Sequence, residues 1–305
     1  MGGQAQRRVR LSRALAVAAL LLAGVLRGET LSIATYNVEN YGPANRMTEV
    51  GYRKDYPKPE AEKRALRAVI RGLNADVLVL QEMGAQAYLD ELRRDLKAEG
   101  MDYPHAALAT ASDADRHLAV LSRRPLQAVT THGDLEFNYF GAKEAVKRGV
   151  LEATVATSAG DVTIFAIHLK SRYTERKDDP LSAQRRAGEA TAVRDRVLRR
   201  FPQPAEARFV ILGDCNDSRT SRAAAALQKR GKTEISTLMP AADSRGETWT
   251  YVYRREESYS RVDLVFVSPG LQAGVAEMTA RVYDGPGVRD ASDHRPVSVV
   301  LTLRR

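Results

Sequence analysis

Apolar and polar residues follow two rhythms along this chain. Residues 31–38 and 76–80 are short, densely apolar runs that read as buried strands. Between them, residues 60–73 carry Ala61, Ala65, Leu66, Val69, Ile70 and Leu73 at steps of three and four, the mark of a helix with one apolar face. Residues 88–96 predict a second helix, and 118–122 a strand closed by Pro125. Residues 149–157 and 161–169 alternate like a hairpin around Ser158-Ala159-Gly160. A long helix is expected over 181–200, ended by Phe201-Pro202, and a shorter one over 221–229. Further strands are expected over 209–212, 248–253, 261–267 and 297–303. The segment 41–59, with Pro43, Pro57 and Pro59, reads as a long loop of the kind that binds ligands. There is no linker-like stretch and no internal repeat. The expectation is one α/β domain over 30–305, with two mixed sheets packed together and helices outside.

The first 28 residues follow a different logic. Arg7, Arg8, Arg10 and Arg13 precede an apolar run from 14 to 26, and no Asp or Glu occurs. Thirteen residues fall short of the ~20 needed to span a bilayer core. The segment reads as a cleaved secretory signal, the alternative being an uncleaved anchor, so the mature chain is expected to be secreted or periplasmic with no membrane span. The formal charge of +9 falls to +4 once five arginines of this segment are set aside, leaving 42 basic against 38 acidic residues. Such mild basicity suits an anionic substrate without establishing one. One cysteine excludes an internal disulfide, and five dispersed histidines argue against a three-histidine zinc centre.

Chemistry is suggested by where the apolar runs stop. Five of them end in acid, amide or histidine: at Asn37, at Gln81-Glu82, at His168, at Asp214-Cys215-Asn216-Asp217, and, in the loop before the last strand, at Asp293-His294. Period-two geometry puts Asp214 and Asn216 on one face, and His168 and Lys170 likewise. Asp263 opens an apolar run, where a carboxylate is costly unless paired, and a histidine is the natural partner.

The segments ThrTyrAsnValGluAsn (35–40), LeuGlnGlu (80–82), LeuAlaValLeuSerArg (118–123), ArgGlyValLeuGluAla (148–153), IleHisLeuLysSer (167–171), GlyAspCysAsnAsp (213–217), SerArgValAspLeuValPheValSer (260–268) and SerAspHisArgPro (292–296) resemble, in this order, the endonuclease/exonuclease/phosphatase superfamily. The resemblance implies a four-layer α/β/β/α sandwich and metal-dependent hydrolysis of phosphate esters. It implies Glu82 as principal ligand of Mg²⁺ or Mn²⁺, with Ca²⁺ also admissible, supported by Asn37 and Asp293. It implies His294 as general base oriented by Asp263, with Asp214 and Asn216 placing water and phosphoryl oxygen, and His168 donating to the phosphate or the leaving group. Lys170 and Arg148 are candidate phosphate contacts. An acid partner for His168 is not legible: Asp113, Asp115 and Arg116 lie in the right region without a clear match.

Loops, not the catalytic set, decide which ester is cut. An export signal, and Lys143, Lys147, Arg148, Arg172, Arg176 and Lys177 interleaved with Phe137, Tyr139, Phe140 and Tyr173, point to nucleic acid as substrate and to a nuclease. The alternative is a phosphatase or phosphodiesterase acting on phospholipid headgroups, inositol phosphates or small esters. A sphingomyelin-cleaving member would carry an exposed apolar hairpin, and none is legible. No stable protein partner is expected.

Overall fold

The computed structural model describes residues 29–304; the expected signal segment lies outside them. The chain runs through β1 (Thr30–Tyr41), β2 (Ala44–Thr48), β3 (Gly51–Tyr56), α1 (Glu60–Leu73), β4 (Val77–Met83) and α2 (Gln86–Ala98). It continues with β5 (His105–Leu108), β6 (His117–Ser122), β7 (Leu126–His132), β8 (Glu136–Tyr139), β9 (Ala142–Ala145), β10 (Val150–Val155) and β11 (Val162–His168). Next come α3 (Ala183–Arg200), β12 (Phe209–Asp214), α4 (Arg222–Gln228), β13 (Lys229–Arg230), β14 (Thr233–Glu234) and β15 (Thr237–Leu238). The last elements are β16 (Tyr251–Tyr253), β17 (Ser258–Ser260), β18 (Asp263–Val267), α5 (Pro269–Ala273), β19 (Val275–Val282), α6 (Val288–Ala291) and β20 (Val297–Leu303).

Two six-stranded sheets dominate, in the orders β19-β20-β1-β4-β6-β5 and β15-β18-β12-β11-β10-β7. In each, one parallel pair sits among antiparallel neighbours: β1 with β4, and β11 with β12. Alternation along the strands builds the layers. Ile33, Val77, Val79 and Val120 from the first sheet meet Leu151, Ile164, Val210 and Val265 from the second in one buried cluster. On the outer face of the first sheet, Ala34, Tyr36, Leu78 and Leu80 pack under Leu66, Val69 and Ile70 of α1 and Leu89 and Leu92 of α2. On the outer face of the second, Phe165, Ile167, Phe209 and Ile211 pack under Val193 and Val197 of α3 and Leu227 of α4. The result is an α/β/β/α sandwich. Each fully buried aliphatic side chain contributes about 1.5–3 kcal/mol relative to exposure, so the apolar stripe of α1 is what pins it to the sheet.

The segment expected as a loop over 41–59 is a two-stranded ribbon instead, β2 against β3, with Met47 opposite Tyr52. Its side chains are mostly solvated, so no apolar alternation announced it. The ribbon also exposes Met47, Val50 and Tyr52 by 77%, 75% and 54%, an apolar tip that the sequence reading missed. Strands β7 and β19 went unread for a related reason: they flank the sheets and leave much of their surface to solvent. Among the described residues no helix is long and apolar enough to cross a membrane.

Candidate active site

Register gathers the first three site residues. His168 pairs with Asp214 across the parallel β11–β12 ladder, and Asp214 pairs with Asp263 across β12–β18. One imidazole and two carboxylates therefore lie side by side at one rim of the second sheet. Asn37, at the corresponding rim of the first sheet, donates from Nδ2 to Asp214 Oδ2 at 3.0 Å and ties the sheets together there. Asn216 closes on Asp214 from the other side: its amide N–H donates to Oδ1 at 2.7 Å and its Nδ2 to Oδ2 at 3.1 Å.

His294 arrives from the loop before β20. Its Nδ1 lies 2.8 Å from Asp263 Oδ2, while Nε2 faces Asp214 Oδ2 at 3.9 Å and Asp293 Oδ1 at 4.0 Å. Burial opposes a charge on this ring, but Asp263 and Asp214 outweigh it and raise its pKa well above the usual histidine value. His168 behaves oppositely. Burial, then Arg148 and His294, push its pKa well below the usual value, so it stays neutral. Its Nε2 lies 3.5 Å from Asp214 Oδ2 and 3.9 Å from Glu82 Oε1, and its buried Nδ1 has no partner among the described residues. Asp113 does not orient it: that carboxylate faces Arg148 Nε at 2.9 Å and Lys147 Nζ at 3.6 Å. Burial lifts the pKa of Asp214 to about 7, with Asp263 adding to the rise and His294, Asn216 and Asn37 opposing it.

Four residues at this rim adopt the left-handed backbone region without being glycine: Glu39 (φ 49°), Asn40 (54°), Glu82 (61°) and Asn216 (50°). Such conformations cost on the order of 1–3 kcal/mol each and concentrate at functional sites. At Glu82 the consequence is direct. The β4 ladder shifts register beyond Leu80, and Glu82 Oε2 accepts the Asn40 N–H at 3.0 Å. Its other oxygen faces His168 and, at 4.0 Å, Arg116 Nε.

Sequence reasoning overlooked Glu39. Its Oε2 accepts the Asp293 N–H at 3.0 Å, and burial followed by the charge of Asp293 raises its pKa. Its left-handed backbone takes it out of the strand's alternation, so the period-two argument did not reach it. Tyr251 was also missed: its ring lies 4.8 Å from that of His294. Arg148 is buried beside Asp113. Lys170 turns away from the cluster. Its Nζ donates to Ser171 Oγ at 3.1 Å and to the Ser171 and Tyr173 carbonyls, while its backbone N–H donates to the buried Glu189 at 2.7 Å. Burial and Arg148 lower its pKa to about 8. Of the proposed stacking rings, Phe137 and Tyr139 are packed in a small core, and Arg176 lies over Phe140.

Two groups of donors could hold a cation. Asp214, Asp263 and His294 each offer one ligand atom, all within 4.8 Å of one another. In that trio Asp263 Oδ2 already holds His294 Nδ1, an arrangement that also serves proton transfer. Glu82 and Asp293 offer partly exposed carboxylates, the hard oxygen donors suited to an ion that keeps several waters. Asn37 Oδ1 accepts the Glu39 N–H at 3.0 Å and retains a second lone pair.

The sandwich carries a histidine–carboxylate pair beside strand-end acids at its rim, an arrangement that suits hydrolysis of phosphoric esters. Residues 34–294 match the model of the Endonuclease/Exonuclease/phosphatase family, and the chain belongs to that family. The fold is similar to sphingomyelinase C from Streptomyces griseocarneus at 18% identity (TM-score 0.62; 89% of this chain, 99% of that one). It is similar to a Staphylococcus aureus beta toxin variant with bound magnesium ions at 16% identity (0.63; 89% and 99%). It is also similar to truncated Caenorhabditis elegans TDP2 at 13% identity (0.59; 91% and 99%). No curated protein sequence matches the chain.

Proposed function

We propose that the protein is an exported, divalent-metal-dependent phosphodiesterase whose substrate is DNA or RNA. The observation that carries the reading is the His294–Asp263 contact at 2.8 Å, with the free Nε2 turned into the carboxylate cluster. Asp263 fixes the ring with Nδ1 as donor, so Nε2 is the atom that takes a proton from the attacking water. Asp214, held by Asn37 and Asn216, orients that water. Neutral His168 offers an Nε2–H to a phosphate oxygen or to the leaving oxygen. Glu82, Asp293 and Asn37 would hold Mg²⁺ or Mn²⁺. The ion would supply positive charge to the phosphate oxygens and offset the carboxylates that keep His294 protonated.

Nucleic acid is favoured by the cations around the cluster. Arg116 stands beside Glu82, the partly exposed Lys147 near Asp113, and exposed Arg172 and Tyr173 follow Lys170. A second reading, hydrolysis of phospholipid headgroups or other small esters, is favoured by one observation: the apolar tip formed by Met47, Val50 and Tyr52 suits contact with a lipid surface. Incubation with plasmid DNA, RNA, sphingomyelin vesicles and a chromogenic phosphodiester, with Mg²⁺ or with chelator, decides. Metal-dependent cleavage of nucleic acid is expected. Turnover of the lipid alone would reject the first reading, and activity indifferent to chelator would reject the metal.

A further inference from the structure

A second concavity adjoins the cluster on the side of Asp293. It has a volume of about 250 Å³ and is walled by Trp249, Tyr259, Val252, Val288, Arg254 and Arg289, with Asp293 among its lining. That is smaller than the roughly 300–1,000 Å³ of pockets enclosing whole drug-sized ligands, and of a size for one planar ring system.

The walls are rigidly built. The Arg295 guanidinium lies 3.5 Å from the centre of the Trp249 ring and is itself held by Asp243 Oδ2 at 2.8 Å. The Trp249 indole N–H donates to Glu247 at 2.9 Å, and the Tyr259 ring meets the indole edge-on at 4.9 Å. Backbone bonds fasten this wall to the catalytic loop: Val252 N–H donates to the Asp293 carbonyl at 3.0 Å, and Arg295 N–H to the Thr250 carbonyl at 2.6 Å. A ring seated here is therefore in fixed register with His294. Arg254 and Arg289 are exposed, and Arg254 donates to the Arg289 carbonyl at 2.9 Å.

We infer that this pocket seats one nucleobase of the substrate, the base next to the scissile phosphate, with Arg254 and Arg289 meeting the phosphate that follows it. The inference rests on the nuclease reading and deepens it. The exposed Tyr259 ring can stack on any base, and the Arg254 and Arg289 guanidinium groups in the lining complement a phosphate. The same guanidinium groups argue against a choline headgroup. A quaternary ammonium seeks aromatic faces free of cations, whereas here Arg295 already occupies the indole and two further arginines stand beside it.

Trp249 is the only tryptophan of the chain, so its fluorescence reports this pocket directly. The full-length protein, kept in chelator so that nothing turns over, is titrated with adenosine 5′-monophosphate, inorganic phosphate and phosphocholine. A saturable change is expected with the nucleotide only. Tyr259→Ala, at a position 55% exposed and so tolerant of truncation, should weaken it about 5- to 150-fold, the range for loss of one base–aromatic stack. Arg254→Gln with Arg289→Gln should weaken the nucleotide but not free adenosine. No saturable change with the nucleotide overturns the inference. An equal response to inorganic phosphate reduces the site to an anion patch and overturns it too, as does a response to phosphocholine alone. Plasmid cleavage is measured separately. Nucleotide binding without cleavage would sink the nuclease reading and leave the pocket standing; cleavage without binding would do the reverse.

Discussion

His294 Nδ1 and Asp263 Oδ2 stand 2.8 Å apart, both buried, and the Asp263 amide is anchored in turn on Thr250 Oγ1 at 3.0 Å. The carboxylate both aims the ring and favours its charged form. Asp263→Asn should therefore lower kcat by roughly 10²–10⁴-fold with little change in KM. The direction of the pH effect follows. Asp263 raises the His294 pKa; without it the ring loses its proton at lower pH, so the acid limb of the residual kcat/KM profile should move to lower pH. A loss under tenfold, or a limb that stays in place, would count against His294 as the base.

Glu82 has one oxygen fixed by the Asn40 N–H and the other free to face the cluster. Glu39 holds the Asp293 backbone. If these carboxylates frame a cation, Mg²⁺ should raise the melting temperature of the wild type by mass action. Glu82→Gln should flatten that rise, and Glu39→Gln should blunt it. Thermal shift against Mg²⁺ concentration measures this without any substrate. A wild-type response retained in full by Glu82→Gln would remove Glu82 from the metal shell.

Much of this rim was legible because buried strands are apolar and their ends are not. The runs ending at Asn37, Glu82, His168 and Asp214 gave both the strands and four of the groups that now meet. The helix at Glu60–Leu73 was read to its exact ends from its apolar face. What escaped had no such contrast. The β2–β3 ribbon and β7 are largely solvated, so their strands carry no buried face to alternate. Glu39 was hidden inside a recognised motif because its role depends on a left-handed backbone that turns it toward Asp293. The contacts of Lys170 depend on a loop that folds its ammonium back onto Ser171 and Tyr173, which no spacing rule reveals.

Gly213 sits immediately before Asp214 with φ 149°, and a Cβ there would fall 1.9 Å from the Ile167 carbonyl oxygen on the neighbouring strand. Backbone cannot yield as a flexible side chain does. Gly213→Ala must open the parallel β11–β12 ladder where Gly213 faces Ile167, one step before His168 faces Asp214. The expected cost is on the order of 3 kcal/mol or more, read as a lower denaturant midpoint, with activity reduced even where the protein stays folded. A variant of normal stability and activity would contradict the close approach.

Asp243 and Arg295 form the buried pair beneath Trp249, with side-chain exposures of 0% and 3% and a contact of 2.8 Å. Removing the carboxylate leaves a guanidinium buried without its partner, so Asp243→Asn should destabilise the protein by on the order of 3 kcal/mol. The pH dependence is specific. Burial alone would raise the Asp243 pKa, but Arg295 and the Arg245 and Glu247 amides overcome it and hold the carboxyl below its usual range. Its contribution is thus complete above the unfolded value of ~3.9 and fades as pH falls toward the depressed folded value. In denaturant titrations the wild type should lose stability more steeply than Asp243→Asn below about pH 4, and the two curves should run parallel above it. Since Arg295 also props the indole, the variant should perturb Trp249 emission in the folded state. Parallel curves throughout the acid range would show that the pair contributes no pH-dependent stability.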